Sequence, residues 1–166
     1  PMAIASSLFP ALVEGKNLSN IEYEKRLQNL YYGAVVSALC AAIFFNYFSN
    51  DIIFLLFGES YESAGLVLKI HIWAAIFVFL GVANSKWFLI ERKEKYMFFM
   101  TFTGCIMNIV LNYVLIPKYK IAGAAVATLI SQIFAAYLMM FFFPSCRQNL
   151  VLSSKALMFP IFVIKR

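Results

Sequence analysis

Four charged, amide or indole side chains within one long apolar block would share a face if the block is helical. At about 100° per residue, a helix places these side chains within about 60° of one another. They are Lys69, Trp73, Asn84 and Trp87, and Glu91 continues the line. Because an ammonium group pairs with phosphate and indole covers the apolar face of a sugar, this face is candidate lining for a phosphorylated sugar. Alternatively, Lys69 snorkels outward and both tryptophans are interfacial anchors.

A second polar pair lies in a later apolar block. Asn108 and Asn112 are four residues apart and therefore lie on one side of a helix. Two amides one turn apart are costly against lipid, which offers them no hydrogen-bond partner. They are expected either to join neighbouring helices or to line a cavity.

Side chains suited to covalent or metal chemistry are scarce. The three cysteines, Cys40, Cys105 and Cys146, lack a CxxC spacing, and His71 is the one histidine. The sequence has no glycine-rich phosphate loop, and no basic face interleaved with exposed aromatics, as nucleic-acid binders have. We expect no catalytic residue, no metal and no cofactor. The chain is predicted neither to be an enzyme nor to bind nucleic acid.

The elements that must position these side chains are membrane-spanning helices. Hydrophobic residues make up 63% of the 166 and charged residues 13%, about half the charged share of soluble domains. About 20 apolar residues span the hydrocarbon, and four blocks qualify: 30–57, 64–90, 96–116 and 121–143. The predicted fold class is all-α: a polytopic transmembrane helix bundle of about four spans, with partial helices at both ends.

Two predictions concern the ends of these elements. Asn50-Asp51 interrupts the first block, so Asp51 is predicted to cap a short helix at the outer surface. Residues 144–166 are predicted to be a basic cytoplasmic tail or a truncated or interfacial helix.

Small residues recur every four positions in two blocks. Gly33 and Ser37 begin one ridge, and Gly123, Ala127 and Ser131 form the other. Membrane helices associate through such ridges because small side chains allow close backbone approach. Both ridges are predicted to be helix-packing surfaces.

Basic residues alternate between the joints that separate the blocks. Three lie in 14–28, three in 91–95 and four in the tail, against two in 117–120 and none in 59–63. The positive-inside rule then places the carboxyl terminus in the cytoplasm and the 59–63 joint outside.

Residues 108–128 read NxxLNxxLIPKYKIAGAAxAT, and SLFP at 7–10, IIFLLFGESY at 52–61 and AGLVLKI at 64–70 lie upstream. In these stretches the chain resembles the lipid-linked oligosaccharide flippases, the O-antigen and polysaccharide exporters of the superfamily that includes multidrug and toxin extruders. Proteins of this kind consist of two six-helix bundles around a central cavity. The resemblance covers most of the chain, which looks like the back half of the second bundle, without the amino-terminal bundle that would be its partner.

The resemblance implies a function as well as a fold. The expected activity is flipping of undecaprenyl-diphosphate-linked oligosaccharide across the bacterial inner membrane by alternating access, in O-antigen, lipopolysaccharide or other polysaccharide biosynthesis. The sugar head group would cross a hydrated, cationic cavity while the lipid tail stays in the bilayer. Three alternatives remain open: a multidrug extruder of the same superfamily, a membrane polysaccharide polymerase, and a non-transporting membrane fragment.

Overall fold

The protein is described here by a computed structural model that covers residues 1–164, with side chains throughout except at Glu62 and 160–164. About 93% of the chain is helical, and the described residues contain no strand. The helices are α1 (Met2–Ser7), α2 (Phe9–Leu18), α3 (Asn20–Phe57), α4 (Glu62–His71), α5 (Ala74–Ile90), α6 (Glu94–Ala136) and α7 (Arg147–Ile164), with short 3-10 turns at Glu59–Tyr61, Leu138–Phe142 and Pro144–Cys146.

Three helical segments are long and apolar enough to cross a membrane: Asn20–Phe57, Ser63–Ile90 and Glu94–Phe142. The second of these joins α4 to α5 through Ile72 and Trp73, whose backbone stays in the right-handed helical region. Backbone bonds such as Trp73 N–H to the Ile70 carbonyl, 3.3 Å, tighten this turn to 3-10 spacing. These segments indicate a membrane protein.

Helix α6 is a hairpin whose two arms are residues 94–119 and 121–136. Lys120 interrupts the helix with a φ of 51° and a ψ of −133°. Gly104 lies against the Ala135 side chain, although a straight helix would place these residues about 46 Å apart. Near the bend, Gly123 lies so close to the Leu115 carbonyl that a Cβ there would overlap it. The chain therefore turns back on itself at the joint that contains Pro117.

One sequence expectation about helix ends is wrong. Helix α3 runs without a break through Asn50 and Asp51 to Phe57, so Asp51 caps nothing there. Within the last apolar block, α6 ends at Ala136 and a 3-10 turn, Leu138–Phe142, follows. The Ala136 carbonyl accepts a hydrogen bond from the Asn84 amide at 2.7 Å, which occupies an acceptor that a continuing helix would use.

The basic joints meet at one end of the bundle. Lys16 on α2 pairs with Glu91 after α5, with 2.6 Å between Nζ and Oε1. Lys93 Nζ donates to the Ser145 carbonyl at 2.8 Å, which brings the start of α7 to the same end. Lys165 and Arg166, which belong to the predicted basic tail, lie outside the described residues.

Helix α7 packs along the beginning of α3. Gln28 Nε2 donates to the Leu152 carbonyl at 3.2 Å, and the rings of Tyr32 and Phe159 stack with centroids 4.5 Å apart. Ala156 is fully buried. The described part of the predicted tail is therefore a helix held against the bundle.

Thiol labelling tests the predicted orientation of the bundle. Ser60 and Glu94 are exposed and lie in joints at opposite ends of the α4–α5 segment. We expect cysteine at position 60, but not at position 94, to react with an impermeant reagent in intact cells, because the positive-inside rule puts the basic joint in the cytoplasm. The host background should lack Cys40, Cys105 and Cys146. The opposite labelling pattern would reverse the topology.

Candidate functional site

A groove of about 530 Å³ opens between α5 and the two arms of α6. We call it the polar groove. Its walls are largely apolar, but both helices contribute hydroxyl and amide side chains, and Met2 of α1 closes one edge. The polar residues that line it are Asn84, Ser85, Thr101, Asn108, Thr128, Ser131 and Gln132.

The hairpin of α6 shapes this groove. Because Gly104 has no side chain, Ala135 and the Ser131 carbonyl approach it closely, so the two arms lie in contact behind the groove. One turn further along the first arm, Asn108 faces the groove, and its Oδ1 accepts a bond of 2.9 Å from Asn112 Nδ2. Asn112 itself does not line the groove, and its own Oδ1 is buried without a partner in the described chain.

The groove offers uncharged hydrogen-bonding groups. The hydroxyls of Thr128 and Ser131 bond to carbonyls of their own helix at 3.0 and 2.7 Å. Thr101 and Gln132 make no side-chain hydrogen bond within the described residues, although both line the groove. None of the described side chains that line the groove is charged. Such a surface suits hydroxyl-rich neutral ligands, since each sugar hydroxyl can both donate and accept.

Asn84 lies at the back of the groove, but its amide is already committed to a buried network. Its Oδ1 accepts from Tyr31 Oη at 2.9 Å and from Ser153 Oγ at 3.1 Å. Its Nδ2 donates to the Ala136 carbonyl. The Tyr31 hydroxyl, which has a single hydrogen to donate, also lies against the side-chain amide of Asn149. We call these four side chains, which are 0–3% exposed, the buried polar cluster. It joins α3, α5, α7 and the end of α6.

Trp87 is fully buried and faces the basic end of the bundle rather than the groove. The ammonium of Lys93 lies 4.5 Å from its ring centroid, a cation–π distance. The neighbouring Phe88 ring meets it edge-on, with centroids 5.2 Å apart. Its indole N–H has no partner among the described groups.

Lys69 and Trp73 lie away from Asn84 and Trp87. Lys69 is partly exposed beside Asn50 and Leu66, and its carbonyl accepts from Asn46 at 3.3 Å. Trp73 is 37% exposed at the link between α4 and α5. Of the six lining candidates, the structure brings Asn84 and Asn108 to one groove, with Asn112 behind Asn108.

The two small-residue ridges lie in different surroundings. Gly123, Ala127 and Ser131 are buried within the α6 hairpin. Gly33 and Ser37 are exposed, and a Cβ at Gly33 would have no neighbour within 4 Å. In the described chain no helix closes on Gly33.

Sequence reasoning missed most partners in the buried polar cluster. Tyr31, Asn149 and Ser153 are distant in sequence from Asn84, and their apolar neighbours gave no reason to single them out. One usable signal was Asn149 itself, an amide that precedes an apolar stretch in the supposed tail. Such an amide favours a buried hydrogen bond over a solvated tail.

The chain is similar to one capsular polysaccharide biosynthesis protein, CapF of Staphylococcus aureus, with 24% identity over 128 residues. The aligned part is 77% of this chain and 32% of that protein, so the chain spans about a third of its relative's length. No protein-family profile matches the chain. No solved structure matches it significantly.

Proposed function

We propose that the chain is part of a flippase that carries a lipid-linked oligosaccharide across the bacterial plasma membrane by alternating access. The observation that carries the proposal is the polar groove, a row of uncharged hydroxyl and amide groups within an otherwise apolar bundle. Polar groups at membrane depth are tolerated where they line a cavity or meet protein. The similarity to a capsular polysaccharide biosynthesis protein supports a glycan cargo.

The chemistry of the groove indicates which part of the substrate it would bind. Its uncharged lining suits the hydroxyls of the sugar head group, while the undecaprenyl tail remains in the bilayer. A diphosphate needs cations, and no cation lines this groove among the residues that the structure describes. In our proposal those cations come from the part of the complete protein that lies outside this chain, which also supplies the opposite wall of the cavity.

The alternative activities fit the groove less well. A multidrug extruder for cationic compounds would need carboxylates, and the lining contains none. A polysaccharide polymerase would need room for catalytic side chains in its external joints. The joint between α3 and α4 is only the short turn around Glu59–Tyr61.

Two threonines that are two residues apart on α6 provide a sharp test. Thr101 lines the polar groove, whereas Thr103 bonds to the Phe99 carbonyl at 2.7 Å and lies outside it. In the complete protein, we expect Thr101→Val combined with Gln132→Leu to lower surface polysaccharide about tenfold in a flippase-null strain. Each lost hydrogen bond is worth about 0.5–1.5 kcal/mol, and about 1.4 kcal/mol is a factor of ten.

Thr103→Val is the matched control, because it removes the same hydroxyl from the same helix outside the groove. It should export like the unaltered protein. Protein level in the membrane should be measured for each variant. Wild-type export by a normally expressed Thr101→Val/Gln132→Leu variant would contradict the substrate-lining role of the groove.

A further inference from the structure

Three features follow one another along a single stripe of α5. Phe79, Val82 and Ala83 line a narrow slot. Lys86 comes one turn later, and Leu89 and Ile90 line a separate cavity one further turn along. Residues three and four apart lie on the same helix face. The slot, the lysine and the cavity are therefore consecutive along one line that runs toward the basic end of the bundle.

The slot is apolar and lies between α1, α3 and α5. It holds about 150 Å³, and Ile4 and Leu8 form its other wall. Gly33 leaves its α3 side open, since a Cβ there would meet nothing within 4 Å. This space has the width and character to take a few methylene groups of an acyl chain.

The cavity at the end of α5 is basic. It holds about 510 Å³, and its charged lining residues are Lys16 and Arg92 against a single carboxylate, Glu91. Phe9, also in its wall, lies under the ammonium of Lys86 at 5.6 Å from the ring centroid.

The charges in and beside this cavity do not cancel. Lys16 is paired with Glu91 at 2.6 Å. Within the described part of the chain, neither Lys86 nor Arg92 forms an ion pair. Among the described groups, Lys86 donates only to the hydroxyl of Ser6, at 3.2 Å. An excess of about two positive charges therefore stands where the apolar slot reaches the basic end.

We propose that this stripe is a binding site for an anionic phospholipid. An acyl chain occupies the slot, the phosphate lies at Lys86, and the head group enters the cavity beside Arg92. Basic pockets between membrane helices on the cytoplasmic side recognise anionic head groups. A zwitterionic lipid brings its own cation and would gain less from Lys86 and Arg92. The proposal assumes that the bundle lies in a membrane, but it does not depend on flippase activity.

Lipid-dependent unfolding of the purified chain tests this site. In neutral detergent, micelles with added phosphatidylglycerol should raise the unfolding temperature, because a ligand of the folded state stabilises it by mass action. Phosphatidylcholine with the same acyl chains should raise it less. Lys86→Gln should weaken the apparent affinity for phosphatidylglycerol about fivefold, the effect of one basic residue near an anionic lipid surface.

Two further variants complete the test. Lys69→Gln is the matched control, since Lys69 is a second lysine of the α4–α5 segment but lies beside Asn50 and Leu66; it should retain the response to phosphatidylglycerol. Gly33→Leu should fill the slot and lower the affinity for both lipids.

Three outcomes would overturn the proposal. They are equal stabilisation by both lipids, an unchanged affinity of Lys86→Gln, and a shift of the same size with glycerol phosphate, which has no acyl chain.

Discussion

Replacing Asn84 with leucine should destabilise the folded chain by about 2–4 kcal/mol. The change would leave the Ser153 hydroxyl and the Ala136 carbonyl without their present partner inside the bundle. Each unsatisfied buried group costs about 1–3 kcal/mol, although polar contacts between membrane helices are often weaker. Tyr31 would keep its bond to Asn149, which limits the loss.

The chain contains its own reporter for this measurement. Cys146 is fully buried, whereas Cys40 and Cys105 are exposed. Burial also raises the pKa of the Cys146 thiol, which makes it less reactive in the folded state. In a background with Cys40→Ser and Cys105→Ser, a thiol-reactive dye should therefore label the protein only when it unfolds.

A matched asparagine separates the buried polar cluster from a general amide effect. Asn29 is exposed on α3, so Asn29→Leu should change the free energy of unfolding by only a few tenths of a kcal/mol. Ser153→Ala should lose less stability in the Asn84→Leu background than in the native one, because the two side chains share a hydrogen bond. Two results would contradict the role of Asn84 in this cluster. One is that the stability losses of Asn84→Leu and Ser153→Ala simply add. The other is that Asn84→Leu and Asn29→Leu unfold with the same free energy.

The helical class and the polar face of α5 could be predicted from periodicity, but the neighbours of that face could not. Asn84 and Trp87 are both buried within the bundle. Which groups meet them depends on α3, α7 and Lys93, which are remote in sequence. Lys69 and Trp73 precede the tightened turn and belong to other surroundings. The four side chains would therefore share one face of an ideal helix, but they do not form a common site.

Part of the groove lining could be predicted from the sequence. Two asparagines one turn apart predicted either a helix contact or a lining; Asn108 lines the groove, whereas Asn112 bonds only to Asn108 of the same arm among the described residues. Thr101 and Gln132 gave a weaker signal, because isolated polar residues in apolar blocks commonly bond to their own backbone. Their position opposite α5 depends on the bend at Lys120, whose geometry no periodicity encodes.

Small-residue ridges show the same limit of sequence reasoning. A four-residue repeat identifies a helix face that another helix could approach closely, but it does not say whether one does. Around Gly123 the backbone of Leu115 lies in contact, whereas Gly33 faces open space. The distinction follows from chain connectivity, since a four-residue joint brings the two arms of α6 together regardless of any other helix.

A single methyl group at these two glycines should therefore have opposite effects. Gly123→Ala places its Cβ on the Leu115 carbonyl and 3.1 Å from the Ile116 nitrogen. Because backbone atoms on both arms cannot yield as a flexible side chain would, we expect a loss of about 3 kcal/mol, at the upper end of overpacking costs. Gly33→Ala meets no atom within 4 Å and should stabilise α3 by up to about 1 kcal/mol, the helix preference of alanine over glycine. Denaturant titration with the Cys146 reporter measures both, and a stable Gly123→Ala would mean that the arms of α6 do not pack as closely as described.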